Sequence, residues 1–291
     1  MSVGIHASSR ILVQGITGKE GLLHTGLCLE YGTNIVAGVT PGREGARVHG
    51  VPVYDTVHEA KERHNPDTTL VFVPPIHGAD ALLEAIFAGI KNIVCITEGI
   101  PVQDMMKVKR IADTYGSVLL GPNCPGIISP EEAKAGIMPA HIFKKGSIGV
   151  ISRSGTLLYE AADQIVQVGL GISTALGIGG DPITGTDYRF WLEAFENDIQ
   201  TEAVLMIGEI GGTKEEDAAV FIKSRMTKPV IAFIAGRSAP SGKRMGHAGA
   251  IINGDKGTVA SKERAFDKAG VEVIQSLSDI GGSVRSLTHR V

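Results

Sequence analysis

Short runs of Val, Ile and Leu recur along this chain, each followed by a glycine-marked turn and then a segment with helical spacing. ILVQ at 11–14, NIVAGV at 34–39, TLVFV at 69–73, NIVCI at 92–96 and SVLLG at 117–121 are too short for helices and rich in apolar residues. Strands covered on both faces of a parallel sheet read this way. Between them, GLLHTGLCLEYG, TVHEAKERH, ADALLEAIFAGI and PVQDMMKVKRIADTYG have helical spacing, the last with Pro101 near its start and a glycine at its end. Such alternation predicts a doubly wound α/β sheet.

The turn-rich stretch GPNCPGIISPEEAKAGIMPAHIFKKG holds four of the thirteen prolines and predicts a junction. The beat then restarts with IGVIS at 148–152, ISTALGIG at 172–179, EAVLMIGEI at 202–210, PVIAFIAG at 229–236 and VEVIQSL at 271–277. Their helices are expected over TLLYEAADQIVQVG, TDYRFWLEAFEND, TKEEDAAVFIKSR and SKERAFDKAG. Two α/β domains are therefore expected, over residues 1–125 and 147–291, with 126–146 connecting them. Both open strand, glycine, helix, as ILVQGITGKEG and IGVISRSGTLL, without obvious repetition of sequence.

Composition narrows the partners. The 28 basic and 31 acidic residues form no basic stripe or acidic tail, which argues against nucleic acid or a membrane surface and for small molecules or proteins. No apolar run reaches the length of a bilayer span, and MSVGIHASSR lacks the core of a signal peptide and the arginines of a transit peptide, so a cytoplasmic location is expected. Cys28, Cys95 and Cys124 are odd in number and far apart, which implies neither a disulfide framework nor a zinc site; Cys28 and Cys95 read as buried thiols.

The loop Gly15-Ile16-Thr17-Gly18-Lys19-Glu20-Gly21 follows a strand and opens a helix, so free backbone N–H groups and the helix dipole favour a phosphate there. Its spacing is G-x-x-G-x-x-G, not the G-x-G-x-x-G of dinucleotide binders. Where an NAD site wants an acid for the ribose, the second strand ends Val39-Thr40-Pro41-Gly42-Arg43. Arg43 suits a ribose with an extra phosphate, admitting NADP or coenzyme A and disfavouring NAD; an incidental surface arginine is the plain alternative. No Walker loop is present: Gly236 stands one residue too far from Gly242-Lys243, and Arg244 occupies the hydroxyl position. A nucleoside triphosphate would have to come from another subunit.

In the second half, Ser152-Arg153-Ser154-Gly155-Thr156 ends a strand and starts a helix, a second anion site. Glu209 in IGEIGG and Glu98 in ITEGI sit at strand ends beside glycine, at the sheet edge where open α/β folds bind ligands. In GKRMGHAGA, His247 has no second ligand at short spacing, and the eight other histidines are scattered singly, so no metal is expected. Two readings remain: a satisfied loop histidine, or a phosphoryl acceptor oriented by a carboxylate such as Glu209 and facing the helix start at Ser154-Gly155.

In this order, GITGKEG, GVTPG, ITEGIP, GPNCPGII, SRSGTLLYE, GIGGDPI, MIGEIGG and GKRMGHAGAII closely resemble the alpha-subunit family of succinate–CoA ligase (succinyl-CoA synthetase), over essentially the whole chain. The resemblance implies a Rossmann-like CoA-binding domain and then a flavodoxin-like domain. It also implies a beta subunit with an ATP-grasp site for Mg2+ and ATP or GTP, in an alpha–beta heterodimer or a heterotetramer of two such pairs. By the same resemblance His247 is the phosphohistidine, Glu209 interacts with it, and Ser154, Gly155 and Thr156 cradle its phosphate. Thr17, Gly18, Lys19 and Glu20 match the CoA loop, and Ile96, Thr97 and Glu98 match residues lining the CoA site. Arg43 also meets CoA, where the family usually has Lys. Tyr159 would help form the substrate site near the beta subunit, and Cys124 matches a cysteine close to the active site. The activity implied is the interconversion of succinyl-CoA, phosphate and nucleoside diphosphate with succinate, CoA and nucleoside triphosphate. Ligation of malate or another dicarboxylate, non-catalytic CoA binding and an NADP oxidoreductase are the alternatives.

Overall fold

The apolar runs become the strands of two seven-stranded sheets in the computed structural model, which describes residues 3–240, 242–252 and 257–288. The first sheet and its helices comprise β1 (Ile11–Gln14), α1 (Lys19–Glu30), β2 (Ile35–Val39), β3 (Arg47–Val48), β4 (Val51–Tyr54), α2 (Val57–His64), β5 (Thr68–Val71), α3 (Pro75–Phe87), β6 (Asn92–Cys95), α4 (Val102–Tyr115) and β7 (Val118–Leu120). Its strand order is β3-β4-β2-β1-β5-β6-β7, parallel except for β3 against β4. All four residues of β1 are buried, and so are all four of β5, as central strands between helical layers require.

The second sheet carries β8 (Gly126–Ser129), β9 (Ala133–Gly136), β10 (Lys145–Ser152), α5 (Gly155–Gln167), β11 (Ile172–Gly177), α6 (Tyr188–Asn197), β12 (Ala203–Glu209), α7 (Lys214–Arg225), β13 (Val230–Ala235), α8 (Val259–Lys268), β14 (Glu272–Ile274) and α9 (Ile280–Thr288). The order is β14-β13-β12-β10-β11-β8-β9, with β8 and β9 antiparallel and the remainder parallel. Residues 126–136, read from the sequence only as turn-rich connection, thus extend this sheet at one edge.

In each sheet the chain steps outward from a central strand on one side and then returns to its other side. These reversals lie between β1 and β5 and between β10 and β12, and ligands of open α/β sheets bind in the crevice past the strand ends at such points. The turn that joins the sheets, Gly121 to Gly126, touches both. Asn123 N–H donates to the Thr97 carbonyl past β6 (2.9 Å), and Gly180 N–H past β11 donates to the Asn123 carbonyl (3.2 Å).

Candidate active site

The first crevice forms where β1 gives way to α1. Gly21, in the first turn of α1, lies so close to the loop that a Cβ there would stand 2.1 Å from the Gly15 carbonyl oxygen. The helix start is thereby pressed against the strand end. Gly18, its N-cap, offers no side-chain capping bond, so the first N–H groups of α1 lack that partner. Thr17 Oγ1 donates to Thr40 Oγ1 (3.1 Å), tying the loop to the end of β2, while Gly18, Lys19 and Glu20 are exposed. Arg43 is exposed on the same rim; its N–H donates to the Thr40 carbonyl (3.1 Å) and to Asp55 Oδ1 (2.9 Å). Beside the loop lies a cleft of ≈ 630 Å³ whose walls include Gly15, Pro41, Val73, Pro74 and His77. Sequence reasoning singled out Gly15 and Pro41 but not Val73, Pro74 and His77; the proline after β5 was the available signal.

At the second crevice, β10 and β12 run side by side with Ser152 paired to Ile207, so Arg153 and Glu209 emerge as neighbours. Ser154 is the N-cap of α5 and its hydroxyl accepts from the Leu157 N–H (3.3 Å); Gly155 is half-buried and Thr156 exposed. The loop carrying His247 is closed by its own backbone bonds, from Met245 N–H to the Ala250 carbonyl (2.9 Å) and from Ala250 N–H to the His247 carbonyl (3.1 Å). Gly249 N–H docks it on the Gly180 carbonyl (3.0 Å). A Cβ on Gly180 would lie 2.2 Å from His247 Cγ, so the ring packs on bare backbone.

His247 Nδ1 and Glu209 Oε2 are 2.8 Å apart. An ionised carboxylate only accepts, so Nδ1 carries the proton and Nε2 is the nitrogen with a lone pair. Nε2 makes no hydrogen bond among the described residues. The Glu209 hydrogen bond is the largest influence on the imidazole and holds its pKa above the ordinary value; burial opposes it, Arg153 opposes it by charge, and Glu98 adds to it. Glu209 is buried, its other oxygen 3.2 Å from Arg153 Nη2.

Between the crevices stand the remaining candidates. Thr97 Oγ1 donates to the carbonyl of Val73, a wall of the first cleft (2.7 Å); Ile96 is half-buried and packs on the core; Glu98 is exposed and close enough to bear on His247. Cys124 is buried with its thiol on the Cys95 carbonyl (3.2 Å), and burial pushes its pKa up to about 12. A thiol held protonated in this way is a poor nucleophile. Tyr159 is half-buried, and burial with Cys124 nearby pushes its hydroxyl up to about 12. Cys28, Cys95 and Cys124 are all buried and free. The structure thus brings Glu209 and Arg153 to His247, and ties Thr17 and Arg43 to Thr40 at the wall of the first cleft. Arg153, Glu215 and Lys262, a buried set of charges behind Glu209, had no signal in the sequence beyond the strand-end position of Arg153.

Among the described residues no cluster of His, Cys, Asp and Glu could hold a metal, and no helix is long and apolar enough to cross a membrane.

Residues 6–99 match the family model described as a CoA binding domain, and residues 151–272 match that of CoA-ligase. An anion-ready crevice in a CoA-binding domain, followed by a ligase domain, defines a subunit of an acid–thiol ligase. The chain is 55% identical over 289 residues to the alpha subunit of ADP-forming succinate–CoA ligase from Aquifex aeolicus, covering 99% of this chain and 95% of that protein. It is 54% identical over 281 residues to the alpha subunit so named from Staphylococcus epidermidis ATCC 12228, covering 97% and 93%. This chain belongs to the family of succinate–CoA ligase alpha subunits. Its fold also superposes on ATP citrate lyase from Methanothrix soehngenii with a TM-score of 0.90 at 24% identity, covering 98% of this chain and spanning 50% of the lyase chain.

Proposed function

We propose that this chain binds CoA in its first crevice and, with a beta subunit, interconverts succinyl-CoA, phosphate and a nucleoside diphosphate with succinate, CoA and the triphosphate. The observation that carries the reading is the His247 Nδ1 to Glu209 hydrogen bond, which leaves Nε2 as the nucleophilic nitrogen. In the triphosphate-forming direction, a phosphate oxygen attacks the thioester carbonyl and the CoA thiolate leaves, giving succinyl phosphate. His247 Nε2 then attacks phosphorus and succinate leaves. Finally an oxygen of the diphosphate takes the phosphoryl group and returns the neutral imidazole. Each transfer depends on alignment and on stabilising charge.

The CoA-binding residues in this reading are Thr17, Gly18, Lys19, Glu20, Arg43, Ile96, Thr97 and Glu98. The uncapped start of α1 fits a CoA phosphate, and Arg43 on its rim fits the phosphate of the ribose. Ser154, Gly155 and Thr156 at the start of α5 stabilise the phosphoryl group. Tyr159 borders the acid, and Cys124 shapes the turn beneath. Mg2+ and ATP or GTP are assigned to the beta subunit, in a heterodimer or heterotetramer, and the complex is placed in the cytoplasm. The division proposed is 1–125, 126–146 and 147–291, with the middle segment lending β8, β9 and the first residues of β10 to the second sheet.

The test is the intact mass of this chain in its complex, before and after magnesium ATP and again after succinate with CoA. A phosphoryl group on His247 that succinate and CoA discharge supports the whole scheme. Retention in the presence of succinate and CoA refutes succinate as the acid; absence of the group with either ATP or GTP refutes the histidine carrier.

A further inference from the structure

Behind the Glu209 carboxylate stands a line of buried ions that none of the transfer steps uses. Arg153 Nη2 is 3.2 Å from Glu209 Oε1, and its Nη1 is 3.3 Å from Glu215 Oε1 and 3.1 Å from the Gly211 carbonyl oxygen. Glu215, in the first turn of α7, also accepts from the Glu209 N–H (3.2 Å) and from the Lys262 ammonium on α8. Lys262 reaches Glu216 (3.1 Å) and the Gly212 carbonyl (3.0 Å) as well. The side chains of Arg153 and Glu209 are 4% and 9% exposed, and those of Glu215 and Lys262 are 0% exposed. Desolvating four charges gains little stability over apolar residues of the same volume. The value of the line lies in what it holds in place.

We propose that Arg153, backed by Glu215 and Lys262, is a positioning residue that pins the Glu209 carboxylate against His247 Nδ1 and limits the protonation of the ring that this carboxylate favours, leaving Nε2 to attack. The inference rests on the phosphohistidine reading above. Glu209 makes two opposed demands on the histidine. Its hydrogen bond orients the ring, but an unopposed carboxylate also favours the imidazolium, which has no lone pair to attack phosphorus. Arg153 answers both. Arg153 Nε and Glu209 Oε1 make no hydrogen bond among the described residues, so Arg153 holds Oε1 by charge, and that leaves Oε2 for Nδ1.

The charged groups that act on the ring are Glu209 past β12, Arg153 past β10 and Glu98 past β6; Lys243 and Arg244 are exposed on the histidine's own loop. Asp181 lies beside the Gly180 backbone that meets the ring, its Oδ1 accepting from the Asn123 amide (2.9 Å). Glu98 and Glu209 favour the imidazolium and Arg153 opposes it. Arg153 is itself half-neutralised by Glu215, which Arg153 and Lys262 hold below its ordinary pKa although burial pushes it up. The signs alternate along the line, so adjacent substitutions act in opposite directions.

The test follows the rate of His247 phosphorylation by magnesium ATP against pH in the complex with its beta subunit, in single turnover read by mass. Because the neutral imidazole reacts, the rate falls on the acid side about the pKa of His247. Arg153→Met moves this acid limb upward by about one pH unit, with the rate recovering in alkali. Glu215→Gln leaves Arg153 unopposed and moves the limb downward by a smaller amount, because Glu215 meets Arg153 and not the ring. Arg153→Lys keeps the charge and stays near the parent. Should Arg153→Met fail to assemble, Arg153→Met/Glu215→Gln removes one cation and one anion together and is still expected to move the limb upward. Limbs that stay in place, or move the same way in the two single variants, overturn the proposal, since a purely structural role lowers the rate equally at every pH. A parent complex that takes no phosphoryl group overturns the phosphohistidine reading instead.

Discussion

The loop from β1 to α1 and the loop from β10 to α5 occupy equivalent places in their sheets, and they are built by different means. The first is made of glycine backbone, leaves its helix without a side-chain cap, and keeps Gly18, Lys19 and Glu20 exposed. The second has a serine N-cap, a buried arginine, and a buried glutamate reaching in from β12. A backbone cradle grips a large anion by shape and dipole and lets it leave. A site that must hold one nitrogen in line for transfer needs side chains fixed by other side chains. The contrast implies that changes at the second loop strike turnover while changes at the first strike CoA affinity.

The largest effect comes from His247→Asn. Turnover and phosphorylation should fall by four orders of magnitude or more, on the order of what losing a covalent nucleophile costs. CoA binding, measured by calorimetry on the complex, should be unchanged; a parallel loss of affinity would erase the division between the crevices. Glu209→Gln keeps the shape and removes the charge. Turnover should drop by about 10²–10⁴-fold. Because the Glu209 hydrogen bond holds the His247 pKa above its ordinary value, the acid limb of the pH–rate profile should move down in this variant. The same shift bears on stability. A raised folded pKa stabilises fully below the unfolded value of about 6.5 and less as pH rises through the folded one. The Tm difference between parent and Glu209→Gln should therefore be larger near pH 6 than near pH 9.

Two glycines allow the comparison to be made with the same chemical change. A Cβ at Gly180 meets His247 Cγ at 2.2 Å, and one at Gly21 meets the Gly15 carbonyl oxygen at 2.1 Å. Gly180→Ala must displace the imidazole, and a misplacement near 1 Å costs about 10²-fold in kcat. Gly21→Ala must push the first loop off its strand, destabilising by about 1–3 kcal/mol and weakening CoA binding with kcat at saturation retained. Steady-state kinetics on both variants checks the division; a kcat defect shared by Gly21→Ala contradicts it.

The central strands and the helices around them were legible because burial on both faces writes an unbroken apolar run. The pieces that escaped lack that signature. β9 reads AKAG, and α9 begins IGGSV; both sequences are poor in their own right, and packing decides their fate. β9 is fixed by antiparallel pairing with β8, and Gly281 of α9 lies so near α5 that a Cβ there would stand 2.8 Å from the Gln164 carbonyl oxygen. β3 and β4 join through His49 and Gly50, both at positive φ, in a hairpin too short to show a period. At the site, Glu209 and Ser154 could be singled out because each stands at a strand end or helix start beside glycine, and His247 because its loop sets it beside Gly246. Glu215 and Lys262 could not. They lie within helices of ordinary charged composition, and only the folded chain buries them against Arg153.

The smallest effect is expected at Arg43, and it marks how far the backbone cradle depends on side chains at all. Arg43 is exposed on the rim, and the bonds that fix its place are made by its backbone N–H to Thr40 and Asp55. The guanidinium is therefore free to meet a phosphate without setting the loop's shape. Removing it in Arg43→Ala should raise the KM for CoA by roughly tenfold, the scale of one hydrogen bond to a charged group, with kcat unchanged. Arg43→Lys keeps the charge but loses the forked contact, so its KM should stay within about threefold of the parent. Added salt should narrow the gap between parent and Arg43→Ala, because a rim charge is screened where a buried one is not. A salt-insensitive gap, or a fall in kcat with KM held, would mean that Arg43 acts on the loop itself, and the first crevice would then depend on fixed side chains as the second does.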